Sequence, residues 1–232
     1  MTEGRDARRI VIVEGQPPHS DPWHALDATA AAIAETLADM GTVRVASTTD
    51  PASWDDADLL VLNVGGDLEA PAPSSLAQVD AVVAHRERGR PVLAFHSSAI
   101  AFRSDDRWRL LLGGRWVPGV TMHPQIGSSL VQPVAGPVPA DAPLVAADFV
   151  VYDERYTGLE VASDVQALAV HTEDGRTHPL IWWRRQREGR GAVVYDALGH
   201  GVESYESPGH RAWIRSCVRS LLGADGAGGA GA

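Results

Sequence analysis

The chain has 232 residues, of which 44% are hydrophobic and 22% charged, so we expect a sizeable core and no global disorder. The formal net charge of −10 argues against nucleic acid or an anionic membrane surface as the main partner. All 20 basic residues are arginine, which excludes a Schiff-base lysine, and the single Cys217 excludes an intrachain disulfide.

The first half of the chain alternates short β-branched runs with helical patterns. Strands are predicted at residues 9–13, 43–46, 58–64 and 91–95. Asp21-Pro22 predicts the start of a first helix, and the capping-box pattern from Ser75 to Gln78 predicts the start of a second. This alternation predicts an α/β fold with a doubly wound, mostly parallel sheet between two helical layers, in a three-layer αβα arrangement.

The second half is less regular. A short helix is predicted at residues 108–112, and the six prolines of residues 118–143 predict an excursion over the surface. Strands are predicted at residues 148–152, 166–171, 180–183 and 192–195, with Asp174-Gly175 as a hairpin turn, and a last helix starts at Ser207. We expect one domain over residues 1–222, a disordered Gly/Ala-rich tail over residues 223–232, and a cytoplasmic location, because no apolar span or signal peptide is evident.

Polar residues follow several of the predicted strands. Gly65-Gly66 follows the third strand, His96-Ser97 the fourth, and His200 the run that begins at Tyr195. Since parallel strands of such folds carry their sites at one carboxyl edge, His24, His96 and His200 could converge in one crevice there. His96 stands at a strand-to-helix turn where related folds place a nucleophile, but the flanking glycines of a nucleophile elbow are missing.

Each of the other candidates has a plain structural interpretation as well as a functional one. His19, His85 and His210 are expected at the surface, and His171 in a hairpin. Asp153-Glu154 is either an acid/base pair or a strand end paired with Arg155, and Trp182 is either core or a sugar platform. Nucleotide-binding motifs and His-Glu-x-x-His zinc spacing are absent, although a distributed site of histidines and carboxylates stays open.

Six motifs occur in order between residues 93 and 200: Leu93 to Ala99, Leu111 to Gly114, His123 to Gln125, Asp153 to Tyr156, His178 to Trp182, and Ala197 to His200. Together they resemble the ThuA-like (trehalose utilisation) family. The resemblance implies a fold related to flavodoxin and to class I glutamine amidotransferases, with His96 in place of the nucleophilic cysteine and no glutamine hydrolysis. Leu93 and Ala94 stand where the family has glycines, so the substrate could differ from that of trehalose-acting members.

The resemblance also implies a function in sugar catabolism, on a small-molecule carbohydrate such as a 3-keto-glycoside. Acid/base chemistry by a lyase, hydrolase or isomerase would then use catalytic residues among His96, His200, Asp153 and Glu154. The predicted substrate-binding residues are His24, Gly65, Gly66, Ser97, His123, Tyr156, His178 and Trp182. The sequence specifies no particular cofactor, and it is compatible with a divalent metal and with a homo-oligomer.

Two other functions are open at this point. One is a non-catalytic module that binds a sugar on an amidotransferase-like fold, and the other is a hydrolase with Ser97 or Ser98 as nucleophile. The leading hypothesis predicts that His96→Ala removes turnover and leaves the fold intact.

Overall fold

The computed structural model describes residues 7–70, 73–74, 76–185 and 189–223. Its helices are α1 (Leu26–Leu37), α2 (Leu76–Glu87), α3 (Asp106–Leu112) and α4 (Pro208–Gly223). Its strands are β1 (Arg9–Glu14), β2 (Thr42–Ser47), β3 (Leu59–Asn63), β4 (Val92–Phe95), β5 (Gly114–Arg115), β6 (Gly127–Pro133), β7 (Phe149–Asp153), β8 (Glu160–Val161), β9 (Gln166–Glu173), β10 (Arg176–Arg184) and β11 (Val193–Asp196).

Nine of these strands form one sheet, in the order β2-β1-β3-β4-β11-β10-β9-β6-β7. The first five run parallel, and the remaining pairs are antiparallel. Strands β3, β4 and β11 are buried along their whole length, which is the pattern of parallel strands covered on both faces.

The strand order reverses after β1, because the chain first moves to β2 on one side and then to β3 on the other. With right-handed crossovers, this reversal places α1 and α2 on opposite faces of the sheet. Accordingly, α1 packs against α4, and α2 packs against α3. The predicted three-layer, doubly wound fold is confirmed, and its crevice lies at the carboxyl ends of the parallel strands.

The antiparallel half corrects the prediction for residues 118–143. Strand β6 lies within this proline-rich stretch and pairs with both β7 and β9. Exposed Leu130 and buried Val131 show the alternation of a strand with one buried face, which the prolines at its borders obscure in the sequence. Strand β7 reaches back to the turn at Val202–Glu206 and to α4, so the antiparallel half closes over the carboxyl edge of the parallel half.

Two further element predictions need correction or fall outside the described residues. Helix α1 begins at Leu26 rather than near Pro22, because the Asp21 carboxylate accepts from the backbone N–H groups of Trp23 and His24 and caps a separate turn. Ser75 of the predicted capping box and residues 224–232 of the tail lie outside the described residues. In the described part of the chain, every helix is too short or too polar to cross a membrane.

The surface predictions for three histidines are wrong, since His19, His85 and His210 are each at most 3% exposed. His85 contacts the Pro91 carbonyl oxygen through Nε2 at 2.9 Å. His210 contacts Asp196 Oδ2 through Nε2 at 3.1 Å. Both lie on the buried faces of their helices, where a polar ring is tolerated because it has a hydrogen-bond partner.

These two histidines should contribute to stability with opposite dependence on pH. Burial lowers the pKa of His85 to about 4, although the hydrogen bond to the Pro91 carbonyl oxygen acts in the opposite direction. The contribution of His85 to the free energy of unfolding is therefore fully present above about pH 6.5 and is lost as the pH falls towards 4. Burial also opposes charge on His210, but Asp196 and Ser204 outweigh it and raise the pKa of His210. Its contribution is therefore present below about pH 6.5 and is lost as the pH rises through the folded-state pKa.

Chemical unfolding of wild type, His85→Gln and His210→Gln at about pH 5 and pH 8 tests this difference. We expect His85→Gln to destabilise more at pH 8 than at pH 5, by about 2 kcal/mol, and His210→Gln to destabilise more at pH 5. Equal losses at the two pH values would contradict the placement of the two rings.

Candidate active site

Four titratable side chains meet at the carboxyl edge of the parallel strands. His24 comes from the loop after β1, His96 directly follows β4, His200 follows β11, and Glu154 follows β7. One potential ligand atom from each of the four lies within 4.8 Å of the others. Sequence reasoning brought the three histidines to one edge, and the return of β7 adds the carboxylate.

His96 is the most constrained member of this cluster. Its φ of +37° lies in the left-handed region, which a residue with a side chain seldom adopts and which is common at functional sites. Its Nδ1 lies 2.7 Å from the Ala197 carbonyl oxygen, which can only accept, so Nδ1 carries the proton. The Tyr156 hydroxyl then donates to His96 Nε2 at 2.8 Å.

His24 is held by a carboxylate. Its Nδ1 lies 2.7 Å from Asp21 Oδ1, and its side chain is only 7% exposed. Burial, opposed by the bond to Asp21, lowers the pKa of His24, so the ring is neutral with its proton on Nδ1. Gly65 allows this arrangement, because a Cβ there would lie 2.7 Å from Asp21 Oδ2.

Glu154 and His200 form the more accessible part of the cluster. Glu154 Oε2 lies 3.3 Å from His200 Nδ1 and 3.5 Å from His96 Nε2. Burial opposes ionisation, but the surrounding histidines hold the pKa of Glu154 well below its usual range. The contact with Glu154 in turn raises the pKa of His200, despite burial. At the outer rim, His123 Nε2 lies 3.6 Å from Glu154 Oε1.

The predicted pair Asp153-Glu154 is divided between two tasks. Asp153 ends β7 on its buried side and is fully buried. Its oxygens accept from the backbone N–H groups of Glu154, Gly199 and His200 at 2.7–3.1 Å. Asp153 therefore positions the loop that carries His200, and of the two carboxylates only Glu154 belongs to the cluster.

The other predicted substrate-binding residues lie at varied places. Ser97 is buried, and its hydroxyl donates to the Val64 carbonyl oxygen at 3.0 Å. A Cβ on Gly66 would approach the Ile100 carbonyl oxygen at 3.3 Å, so Gly66 packs against backbone. His178 lies beside His171, behind Tyr156, with ring centroids 5.4 Å apart.

Trp182 corrects the sugar-platform interpretation. Its ring is fully buried, and its Nε1 donates to the Leu112 carbonyl oxygen at 2.8 Å. A tryptophan that the sequence analysis did not select, Trp116, is half-buried near the cluster, 4.9 Å from the Tyr156 ring and 6.2 Å from the His123 ring. Trp116 also lines a cavity of about 300 Å³.

Sequence reasoning missed Asp21 as the partner of His24, because Asp-Pro was interpreted as a helix start. The spacing Asp21-x-x-His24 in a loop after a strand was the available signal. The partner of His96, the Ala197 carbonyl oxygen, leaves no trace in the sequence.

The fold is similar to that of a glutamine amidotransferase, and His96 directly follows β4. The family model described as ThuA, trehalose utilisation, matches residues 9–219. The chain therefore belongs to the ThuA family, as the six sequence motifs predicted.

Solved structures support the same fold. A ThuA-like protein from Parabacteroides merdae has a TM-score of 0.73 at 13% identity, over 94% of this chain and 91% of that one. A ThuA-like protein from Bacteroides uniformis has a TM-score of 0.68 at 17% identity, over 95% and 94%. A glutamine amidotransferase from Thermotoga maritima has a TM-score of 0.54 at 10% identity, over 94% and 99%. No curated protein matches the sequence.

Proposed function

We propose that this protein is an enzyme that processes an oxidised carbohydrate, such as a 3-keto-glycoside, by acid/base chemistry at the cluster of His24, His96, Glu154 and His200. The observation that carries the proposal is the contact of an ionised Glu154 with His200 at the carboxyl edge of the sheet. Membership of the ThuA family supports a substrate from carbohydrate metabolism.

The chemistry requires one base and one group that faces negative charge. A 3-keto group acidifies the proton on C2, and the Glu154 carboxylate accepts that proton. The electron pair of the C–H bond passes to the carbonyl oxygen and forms an enolate, whose charge faces His200, the ring that Glu154 favours in its protonated form. Collapse of the enolate breaks the bond between C1 and the glycosidic oxygen, and this oxygen takes the proton from Glu154, which restores the carboxylate.

The approach of the substrate is limited by burial. His96 and Tyr156 are almost fully buried, whereas His200, Glu154 and His123 have side-chain exposures of 22%, 13% and 38%. The sugar would therefore reach the cluster from the side of these three residues. Trp116, which borders both His123 and the neighbouring cavity, offers an aromatic surface at this entrance.

Incubation with a 3-keto-glycoside and with the same glycoside before oxidation tests the proposal. We expect NMR and mass spectrometry to detect release of the aglycone, or an epimer, from the 3-keto compound alone. Titration calorimetry with both compounds completes the test. Binding without conversion would indicate a sugar-binding module, and absence of both would contradict a carbohydrate substrate.

A serine hydrolase is disfavoured by the hydrogen bonds of both candidate nucleophiles. Ser97 Oγ donates to the Val64 carbonyl oxygen and Ser98 Oγ donates to the Leu62 carbonyl oxygen, at 3.0 and 3.1 Å. We expect Ser97→Ala and Ser98→Ala to keep turnover within about threefold of wild type and to lose about 1 kcal/mol of stability each. Loss of turnover in either variant without unfolding would restore the hydrolase alternative.

A further inference from the structure

We propose that His24, His96, Glu154 and His200 bind one divalent first-row transition metal ion. The proposal rests on the function proposed above for what the ion does: in the metal-loaded protein the ion, rather than a proton on His200, would face the negative charge. Glu154 offers the ion one oxygen and keeps the other for the proton. The binding itself is measurable without any substrate. Four parts of the fold bring the donors together: the loop between β1 and α1, and the segments that follow β4, β7 and β11.

The spacing of the donors suits a metal ion. The four potential ligand atoms lie within 4.8 Å of one another. Around an ion with bonds of about 2.0–2.2 Å, ligand atoms are roughly 3–4 Å apart, so closing the cluster needs side-chain shifts of less than about 1 Å.

The orientation of two rings favours a metal over hydrogen bonding alone. His24 donates from Nδ1 to the Asp21 carboxylate, and His96 donates from Nδ1 to the Ala197 carbonyl oxygen. Metal-ligating histidines characteristically donate their second nitrogen to a carboxylate or a backbone carbonyl, which fixes the tautomer and turns the other lone pair to the ion. Both histidines therefore present Nε2 as the ligand atom; His24 Nε2 has no partner, and His96 Nε2 accepts from the Tyr156 hydroxyl.

Three potential acceptor atoms in the cluster, His24 Nε2, His96 Nε2 and Glu154 Oε2, face one another without enough donors. His24 Nε2 is buried and has no hydrogen-bond partner in the protein, which is costly for a polar atom. Glu154 Oε2 and His96 Nε2 lie 3.5 Å apart, and while the His96 ring is neutral, with its proton on Nδ1, both atoms are acceptors. A cation between them satisfies all three atoms. An ion on His96 Nε2 would displace the hydrogen bond from the Tyr156 hydroxyl.

The donor set selects the class of ion. Three imidazoles and one carboxylate suit Zn²⁺, Fe²⁺, Co²⁺ or Ni²⁺, whereas Mg²⁺ and Ca²⁺ prefer oxygen donors. Neutral histidines do not compensate the two positive charges of the ion. The carboxylates of Glu154 and Asp21 supply two negative charges that do. When bound, such an ion would supply Lewis-acid polarisation of a substrate carbonyl.

The test uses the tag-free full chain after dialysis against a chelator, with circular dichroism as the check on folding. Titration calorimetry with Zn²⁺, Co²⁺ and Mg²⁺ is followed by metal analysis of the desalted protein. We expect one Zn²⁺ per chain at submicromolar Kd, visible absorption bands with Co²⁺, and no binding of Mg²⁺. A wild-type chain that binds neither Zn²⁺ nor Co²⁺ at one equivalent would overturn the proposal.

Variants identify the site. His24→Gln and Glu154→Gln should each weaken zinc binding by more than about 100-fold, and Asp21→Asn, which changes only the partner of His24, by about 10- to 100-fold. Glu35→Gln is the matched control, because Glu35 lies exposed on α1, 3.7 Å from Arg211, and its loss should leave the Kd unchanged. Unchanged zinc binding in the folded His24→Gln and Glu154→Gln variants would place the ion elsewhere and overturn the proposal.

These measurements distinguish a failure of the metal-site proposal from a failure of the proposed function. Stoichiometric zinc that depends on His24, together with no conversion of a 3-keto-glycoside, would support the metal site and refute the proposed substrate. Full turnover by chelator-treated protein that metal analysis shows to be free of metal would refute a role for the ion in the reaction and support the proposed function, and the binding titrations alone decide whether the site exists.

Discussion

Glu154→Gln is expected to reduce turnover of a 3-keto-glycoside by about 10²- to 10⁴-fold, the usual contribution of a positioned base. Glutamine has nearly the same shape and keeps hydrogen-bonding atoms near His200, His96 and His123, but it cannot accept the C2 proton. Folding should be little affected, because Glu154 is not part of the apolar core. Steady-state kinetics beside thermal melts provides the measurement.

Glu35→Gln is the matched control for this substitution, since it makes the same chemical change on the exposed face of α1 and should keep wild-type kinetics. Turnover by Glu154→Gln within about twofold of wild type would exclude Glu154 as the base.

His96→Ala is expected to lose turnover to a similar extent, about 10²- to 10⁴-fold, and to lose stability as well. The sequence analysis predicted an intact fold, but His96 is buried and has contacts with Ala197, Tyr156 and Glu154. Removing its ring leaves the Ala197 oxygen and the Tyr156 hydroxyl without this partner, at a cost of about 1–3 kcal/mol each. His96→Gln should recover part of this stability without recovering turnover.

A buried histidine outside the site distinguishes a catalytic role from a structural one. His210→Gln also removes a buried ring from a hydrogen-bonded network, with Asp196 and Ser204 as its partners. It should lower the Tm and keep turnover of the remaining folded protein. If both histidine variants lost stability and kept turnover, His96 would be a structural residue only.

The parallel half of the fold could be predicted because its signals are local. Continuous apolar runs mark β1, β3 and β4, and the rule that parallel strands share one carboxyl edge brings His24, His96 and His200 together. The path of β7 could not be predicted in this way, because its return to the Val202–Glu206 turn depends on long-range pairing. Sequence reasoning therefore selected Asp153 and Glu154 as a pair without separating their roles.

The misplaced histidines show a second limit. His85 lies three residues after Val82 and His210 three residues before Trp213, so helical spacing alone would have put both on buried faces. The sequence analysis placed both histidines at the surface because their side chains are polar, although their helical spacing to apolar residues indicated burial. The partners that make burial tolerable, the Pro91 carbonyl oxygen and the Asp196 carboxylate, come from other elements of the fold and cannot be recognised from the helices themselves.

Proton exchange at C2 of a 3-keto-glycoside in D₂O tests the central claim most directly, because it reports the first chemical step whether elimination or epimerisation follows. NMR would follow the C2 proton with wild type, Glu154→Gln and no enzyme. We predict rapid loss of the C2 signal with wild type, and loss at the uncatalysed rate with Glu154→Gln. Exchange at the uncatalysed rate with folded wild-type protein that binds the sugar would contradict the account.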